Sequence, residues 1–185
     1  SDVQTQTGVE NVLRNTPMYN TNFTYTNNAG KNVSIKYSKA FMEAAAASRV
    51  SPYHLASRVK QEVVISSTMM SSSVSGNVAG YKGIYNFYNI GANSGANAVK
   101  NGLKWASTGT DYSRPWNNRY RSIYGGACYI GKQYINVGQN TLYLQKFNVT
   151  ATKRYDHQYM ANIEAPNNEA TKTANAYGSD KDNTP

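Results

Sequence analysis

The chain has 185 residues, a size at which one hydrophobic core and one compact domain are expected. Hydrophobic residues make up 39% and charged residues 16%, and no apolar run approaches the roughly 20 residues of a spanning helix, which excludes membrane insertion and an acidic disordered chain and leaves a soluble domain. The formal charge of +9 favours a polyanionic partner, whether nucleic acid, a phosphate-bearing wall polymer or an anionic membrane surface. Lys and Arg are scattered from Arg14 to Lys181 without a dense run, which argues against nucleic acid. A single cysteine, Cys128, excludes an internal disulfide and a cysteine-rich zinc site, so packing must hold the fold. Ser1 to Gly8 lack the basic start and apolar stretch of an export signal, which is expected to lie outside this sequence. Tyrosine is abundant, with 16 residues beside Trp105, Trp116 and four Phe. Its flat face and hydroxyl suit sugar rings and stacked bases, although core packing accounts for many of them.

In chain order, the alternation Asn22-Phe23-Thr24-Tyr25-Thr26 before Asn27-Asn28-Ala29-Gly30 predicts a strand and turn within an N-terminal arm or hairpin, residues 1–37. Lys39 to Ala47 is Ala-rich and predicts a helix ending near Arg49. Ser51-Pro52 opens a second helix, with Ser as N-cap, Pro in the first turn, and Leu55, Val59 and Val63 at four-residue steps. Ser66 to Gly80 lacks helical period and reads as a loop or loose hairpin beside a site. Helices are expected over Ala96–Ala106, Gly125–Val137 and Ala151–Ile163, followed by a polar tail, residues 167–185, that could hold a short helix over Glu169–Tyr177.

Sugar chemistry is one of the classes that the tyrosine content allows; cleavage of a glycosidic bond would need a carboxylic acid to protonate the leaving oxygen, and ten acidic residues keep that search short. Five lie near the termini, leaving Glu43, Glu62, Asp111, Asp156 and Glu164. Glu62 follows Leu55 by seven residues and Val59 by three, which returns it to the apolar face of its helix, where a desolvated carboxylate would suit a general acid. An ion pair with Arg58, four residues earlier, is the competing reading. Glu43 reads as a solvated or helix-packing carboxylate and Asp111 as a turn cap. With only His54 and His157 present, a multi-histidine zinc site would need both from distant segments, and no metal or other cofactor is expected.

Ser51 to Glu62, followed by Gly83-Ile84-Tyr85-Asn86-Phe87-Tyr88-Asn89-Ile90-Gly91-Ala92, resembles the endo-β-N-acetylglucosaminidases of glycoside hydrolase family 73, which are bacterial autolysins. Gly125-Gly126-Ala127, Tyr129-Ile130-Gly131, Tyr134-Ile135, Gly138 to Tyr143 and His157-Gln158-Tyr159-Met160 extend the likeness over residues 38–166, with a resemblance to autolysin catalytic domains of clostridial type. The resemblance implies a mainly α, lysozyme-like α+β fold, with two lobes around a glycan-binding cleft and a small β-hairpin region. It also implies that Glu62 is the acid. The family often has glycine soon after this glutamate, where Val63 and Val64 stand here, so the path of the following loop is not given by the likeness. Tyr120 loosely matches a family tyrosine near the cleft and could orient water or stabilise charge, with the substrate's own N-acetyl group as nucleophile ranked narrowly ahead of Asp111 or Asp156.

Along the implied cleft, Tyr85, Phe87 and Tyr88 would stack on sugars while Asn89 reads an N-acetyl or hydroxyl group, although Phe87 and Ile90 fit equally a core beneath that wall. Trp116, in a loop after Arg114-Pro115, is the expected exposed platform, and Trp105 falls at a helical apolar position. Tyr159 either closes the far side or packs. The expected partners are peptidoglycan glycan strands and anionic wall polymers, met outside the cell by a monomer. A muramidase, a lytic transglycosylase or a non-catalytic wall-binding module of similar shape remain the alternatives.

Overall fold

The computed structural model describes residues 3–138. The expected helix Ala151–Ile163, the segment Glu169–Tyr177, the boundary at 166/167, and Tyr159, Asp156, His157 and Glu164 lie outside the described residues. The described part is mainly helical with two small antiparallel hairpins, an α+β arrangement.

The first element was not anticipated: within the expected extended arm, α1 spans Gln6–Val12. Thr5 caps it by accepting from the Gly8 amide, and Val9 and Leu13, one turn apart, are fully buried. Two anchored apolar residues suffice in a segment whose Asn, Thr and Ser content hides the helical period. The hairpin follows as expected, β1 (Asn22–Thr26) pairing with β2 (Asn32–Lys36) so that Phe23 faces Ile35, both buried.

Helix α2 (Tyr37–Ser48) buries Tyr37, Ala40, Phe41, Ala44 and Ala45 on one face and packs against α5 (Arg119–Gly138), with α1 and α3 (Pro52–Val63) also against it. Small residues on that face let helix axes approach closely. Ser51 caps α3 by accepting from the Tyr53 and His54 amides, and Leu55, Val59 and Val63 are all buried, each contributing about 1.5–3 kcal/mol of apolar transfer.

Beyond α3 the chain turns directly into β3 (Val64–Ser66), which pairs with β4 (Met69–Met70) as a small hairpin. Val63 is buried at the junction, which accounts for valine where the resemblance called for glycine. Helix α4 runs Ala98–Ser107 as expected. Helix α5 begins six residues before the expected Gly125, because the Asn118 side chain accepts from the Arg121 amide at 2.7 Å and caps the start. Gly125 and Gly126 sit inside that helix for reasons of space. A Cβ on Gly125 would lie 1.9 Å from the Tyr112 carbonyl oxygen, and one on Gly126 2.3 Å from the Tyr88 ring.

Candidate active site

Glu62 lies in the last turn of α3, and its side chain is exposed. At 100° per residue it falls about 20° to one side of Leu55, while Val59 and Val63 fall on the other, so it sits at the margin of the buried stripe. The expectation of a desolvated carboxylate is corrected accordingly. No ion pair forms with Arg58; among the described residues the ion pair present is Lys39 with Glu43, at 3.9 Å.

The group that meets Glu62 comes from 27 residues further on. Asn89 Nδ2 donates to both the Glu62 main-chain oxygen and Glu62 Oε1, each at 3.1 Å. That main-chain oxygen belongs to the last turn of α3, where carbonyls lack an intrahelical donor, so the amide satisfies it. Oε2 accepts no hydrogen bond among the described residues. Asn89 itself is half-buried and adopts a left-handed backbone with φ 53°.

The segment that carries Asn89 is tied down along its length. The Tyr85 amide donates to the Trp116 carbonyl at 3.0 Å, the Asn86 amide to the Ser73 carbonyl at 2.8 Å, and the Phe87 amide to Ser122 Oγ at 3.0 Å. Asn86 is buried and donates through Nδ2 to the carbonyls of Ile90 and Gly102, at 2.8 and 3.0 Å, while its Oδ1 accepts from the Ile90 amide. Tyr88 donates its hydroxyl to the Ile123 carbonyl at 2.8 Å, and burial raises that hydroxyl's pKa well above the ordinary value.

Two expected sugar platforms, Tyr88 and Trp116, are corrected by burial, and Phe87 takes the core place that was its other reading. Phe87, Tyr88 and Trp116 are each 0% exposed, and a ring without an accessible face has nowhere for a sugar to stack. Trp116 is held by its indole nitrogen donating to the Tyr112 carbonyl at 2.8 Å. Trp105 is instead half-buried, with the Arg114 guanidinium 3.9 Å from its ring centroid. Tyr85 keeps partial exposure and carries the Arg119 guanidinium 4.7 Å from its ring. Burial raises the pKa of Tyr37 against the pull of the Arg119 cation.

Tyr120 is 3% exposed and donates to Glu43 Oε1 at 2.6 Å. Its ring stacks on Tyr25 with centroids 4.6 Å apart, and on Tyr124 at 5.7 Å. The structure thus groups Glu62 with Asn89, and Tyr120 with Glu43. Neither pairing was readable from local spacing, since the partners are 27 and 77 residues apart. The one available signal was an asparagine among aromatic and glycine residues, a residue type that tolerates the left-handed backbone. Among the described residues no three of His, Cys, Asp and Glu converge as a metal site would require.

The described residues therefore make a mainly helical α+β domain that presents an open carboxylate at a helix end, oriented by an amide from a rigid loop. Over 138 residues, 73% of this chain, the sequence is 32% identical to a protein of Bacillus subtilis (strain 168) named beta-N-acetylglucosaminidase, of which the match covers 14%. Over 83 residues, 45% of this chain, it is 35% identical to a bifunctional autolysin of Staphylococcus epidermidis, of which the match covers 6%. The chain thus corresponds to a small part of each of these relatives. No family model matches the sequence, and no solved structure matches it.

Proposed function

We propose that this chain is the catalytic part of a peptidoglycan hydrolase, an endo-β-N-acetylglucosaminidase of the family 73 type that cleaves the β-1,4 bond after N-acetylglucosamine. The observation that carries the reading is the exposed Glu62 carboxylate at the end of α3, with one oxygen held by Asn89 and the other open. The names of the two similar proteins, a glucosaminidase and an autolysin, support the substrate class. In this reading the two lobes of a lysozyme-like fold bound a glycan cleft at Glu62, and the domain works outside the cell. The formal charge of +9 holds it to anionic wall polymers.

Chemically, the Glu62 proton passes to the glycosidic oxygen as the bond to the anomeric carbon breaks. The acetamido carbonyl oxygen of the same sugar closes on that carbon, giving an oxazolinium ion. Water then opens the ring as Glu62 takes its proton, restoring the acid. One protein carboxylate suffices for this cycle. Two of the other described carboxylates are engaged, Glu10 by the Asn20 amide and Glu43 by Tyr120 with Lys39 nearby, while Asp111 lies exposed and accepts through its main-chain oxygen from Arg114. Tyr85 is the described aromatic side chain of the expected set that keeps a partly open face for a sugar.

The test is product analysis on purified peptidoglycan. A new reducing N-acetylglucosamine end is expected. Reducing N-acetylmuramic acid would make the chain a muramidase, an anhydro product a transglycosylase, and absence of product with retained wall binding a binding module.

A further inference from the structure

The mechanism above requires that Glu62 deliver its proton from a defined oxygen, and the loop asparagine decides which. An amide NH2 group can only donate. Both atoms that face it, the Glu62 carbonyl oxygen and Oε1, are acceptors, so the nitrogen and not Oδ1 must point there. When Glu62 is protonated, the oxygen bonded to the amide has to remain the carbonyl-type acceptor, which leaves the proton on the other. The double contact also pins the side chain back over its own main chain and fixes its rotamer.

We propose that Asn89 is a positioning residue for the Glu62 proton, holding Oε1 as the acceptor so that Oε2 carries the proton and releases it to the substrate. This rests on the reading of Glu62 as general acid. It replaces the expectation that Asn89 reads the sugar, because its amide is turned toward the protein carboxyl. The left-handed φ of 53° explains why asparagine serves here: it tolerates that backbone and still offers a donor, whereas glycine tolerates it and offers none.

That difference supplies the experiment. Asn89→Gly keeps the backbone conformation and deletes only the amide, and Asn89→Asp keeps the shape while replacing the donor with a second anion. On peptidoglycan, Asn89→Gly is expected to lower kcat by roughly 10- to 100-fold with KM unchanged, the scale of losing orientation of a reacting group. Asn89→Asp should lose at least as much, and both should melt close to the parent. A kcat within about twofold of the parent for Asn89→Gly overturns the proposal, and so does a raised KM with kcat unchanged, which would make Asn89 a substrate contact.

Glu62→Gln measured alongside separates the two readings. If it stays active, the assignment of Glu62 as acid fails; if it is inactive while Asn89→Gly keeps kcat within about twofold of the parent, only the positioning role fails. A readout independent of turnover is the side-chain amide of Asn89 in 15N–1H spectra. Its signals should move as Glu62 titrates and cease to move in Glu62→Gln, and signals indifferent to that titration in the parent would also overturn the proposal.

Discussion

Glu43 and Glu62 are both glutamates on helices of twelve residues, and their settings differ in how far each carboxylate is already engaged. Glu43 sits mid-helix in α2, partly exposed, and takes the Tyr120 hydroxyl from α5 at 2.6 Å with Lys39 at 3.9 Å. Glu62 sits at the end of its helix, in the open, with a single amide partner that leaves Oε2 uncovered. The first ties two packed helices together. The second is oriented with one oxygen left uncovered, as the proposed proton delivery requires.

The largest effect that can break this comparison is on turnover. Glu62→Gln should lower muropeptide release by about 10²- to 10⁴-fold, the usual contribution of a general acid, while wall binding and melting temperature hold. Glu43→Gln in the same assay should retain most activity; a loss as deep as that of Glu62→Gln would erase the distinction.

The next effect falls on stability at the glycine pair of α5. Gly125→Ala forces a methyl against the Tyr112 carbonyl, where the contact is backbone and cannot rotate away. A destabilisation of about 1–3 kcal/mol is expected in urea titration, with kcat little changed in the folded fraction. A parent-like midpoint would mean that the α5 and Tyr112 backbones part freely.

Tyr120→Phe sharpens the comparison from the other side. It removes the hydroxyl that Glu43 accepts and should cost about 1 kcal/mol, since Glu43 is partly solvated. It should leave kcat near the parent. A drop in kcat without loss of stability would return Tyr120 to the catalytic role that the resemblance implied.

The smallest effect is on pH dependence. Burial first, and the Arg58 charge second, lower the His54 pKa from 6.5. The unfolded chain therefore binds the proton more readily, so the contribution of neutral His54 to stability is present above about 6.5 and is lost as pH falls through the lowered folded value. Melting temperature should decline over that acid window, and less steeply in His54→Gln.

What the sequence disclosed followed from local chemistry. The β1–β2 hairpin was legible in the period-two alternation and the Asn27-Asn28-Ala29-Gly30 turn, and α3 in its Ser-Pro start and its Leu55, Val59, Val63 steps. Helix α1 was hidden because seven residues with one buried valine carry too little period, and the start of α5 because the Gly125-Gly126 pair mimics a breaker. The site was legible only as a residue list. Glu62 was singled out by a spacing argument whose premise, burial, the structure reverses. Exposure could not be read for aromatic residues, since Tyr85, Phe87 and Tyr88 share a composition and differ in which way the anchored loop turns them. The amide that faces Glu62 depends on a left-handed turn 27 residues away, which no helical or strand period encodes.

The most direct test of Glu62 as proton donor is leaving-group dependence. An aryl leaving group such as nitrophenolate departs without protonation, whereas a sugar hydroxyl does not. In the first turnover, before water opens the ring, Glu62→Gln should therefore release nitrophenolate from a nitrophenyl glycoside of an N-acetylglucosamine oligomer within about tenfold of the parent rate, while cleavage of the sugar–sugar bond falls at least 10²-fold. Equal losses on both substrates, or no loss on either, would contradict the account.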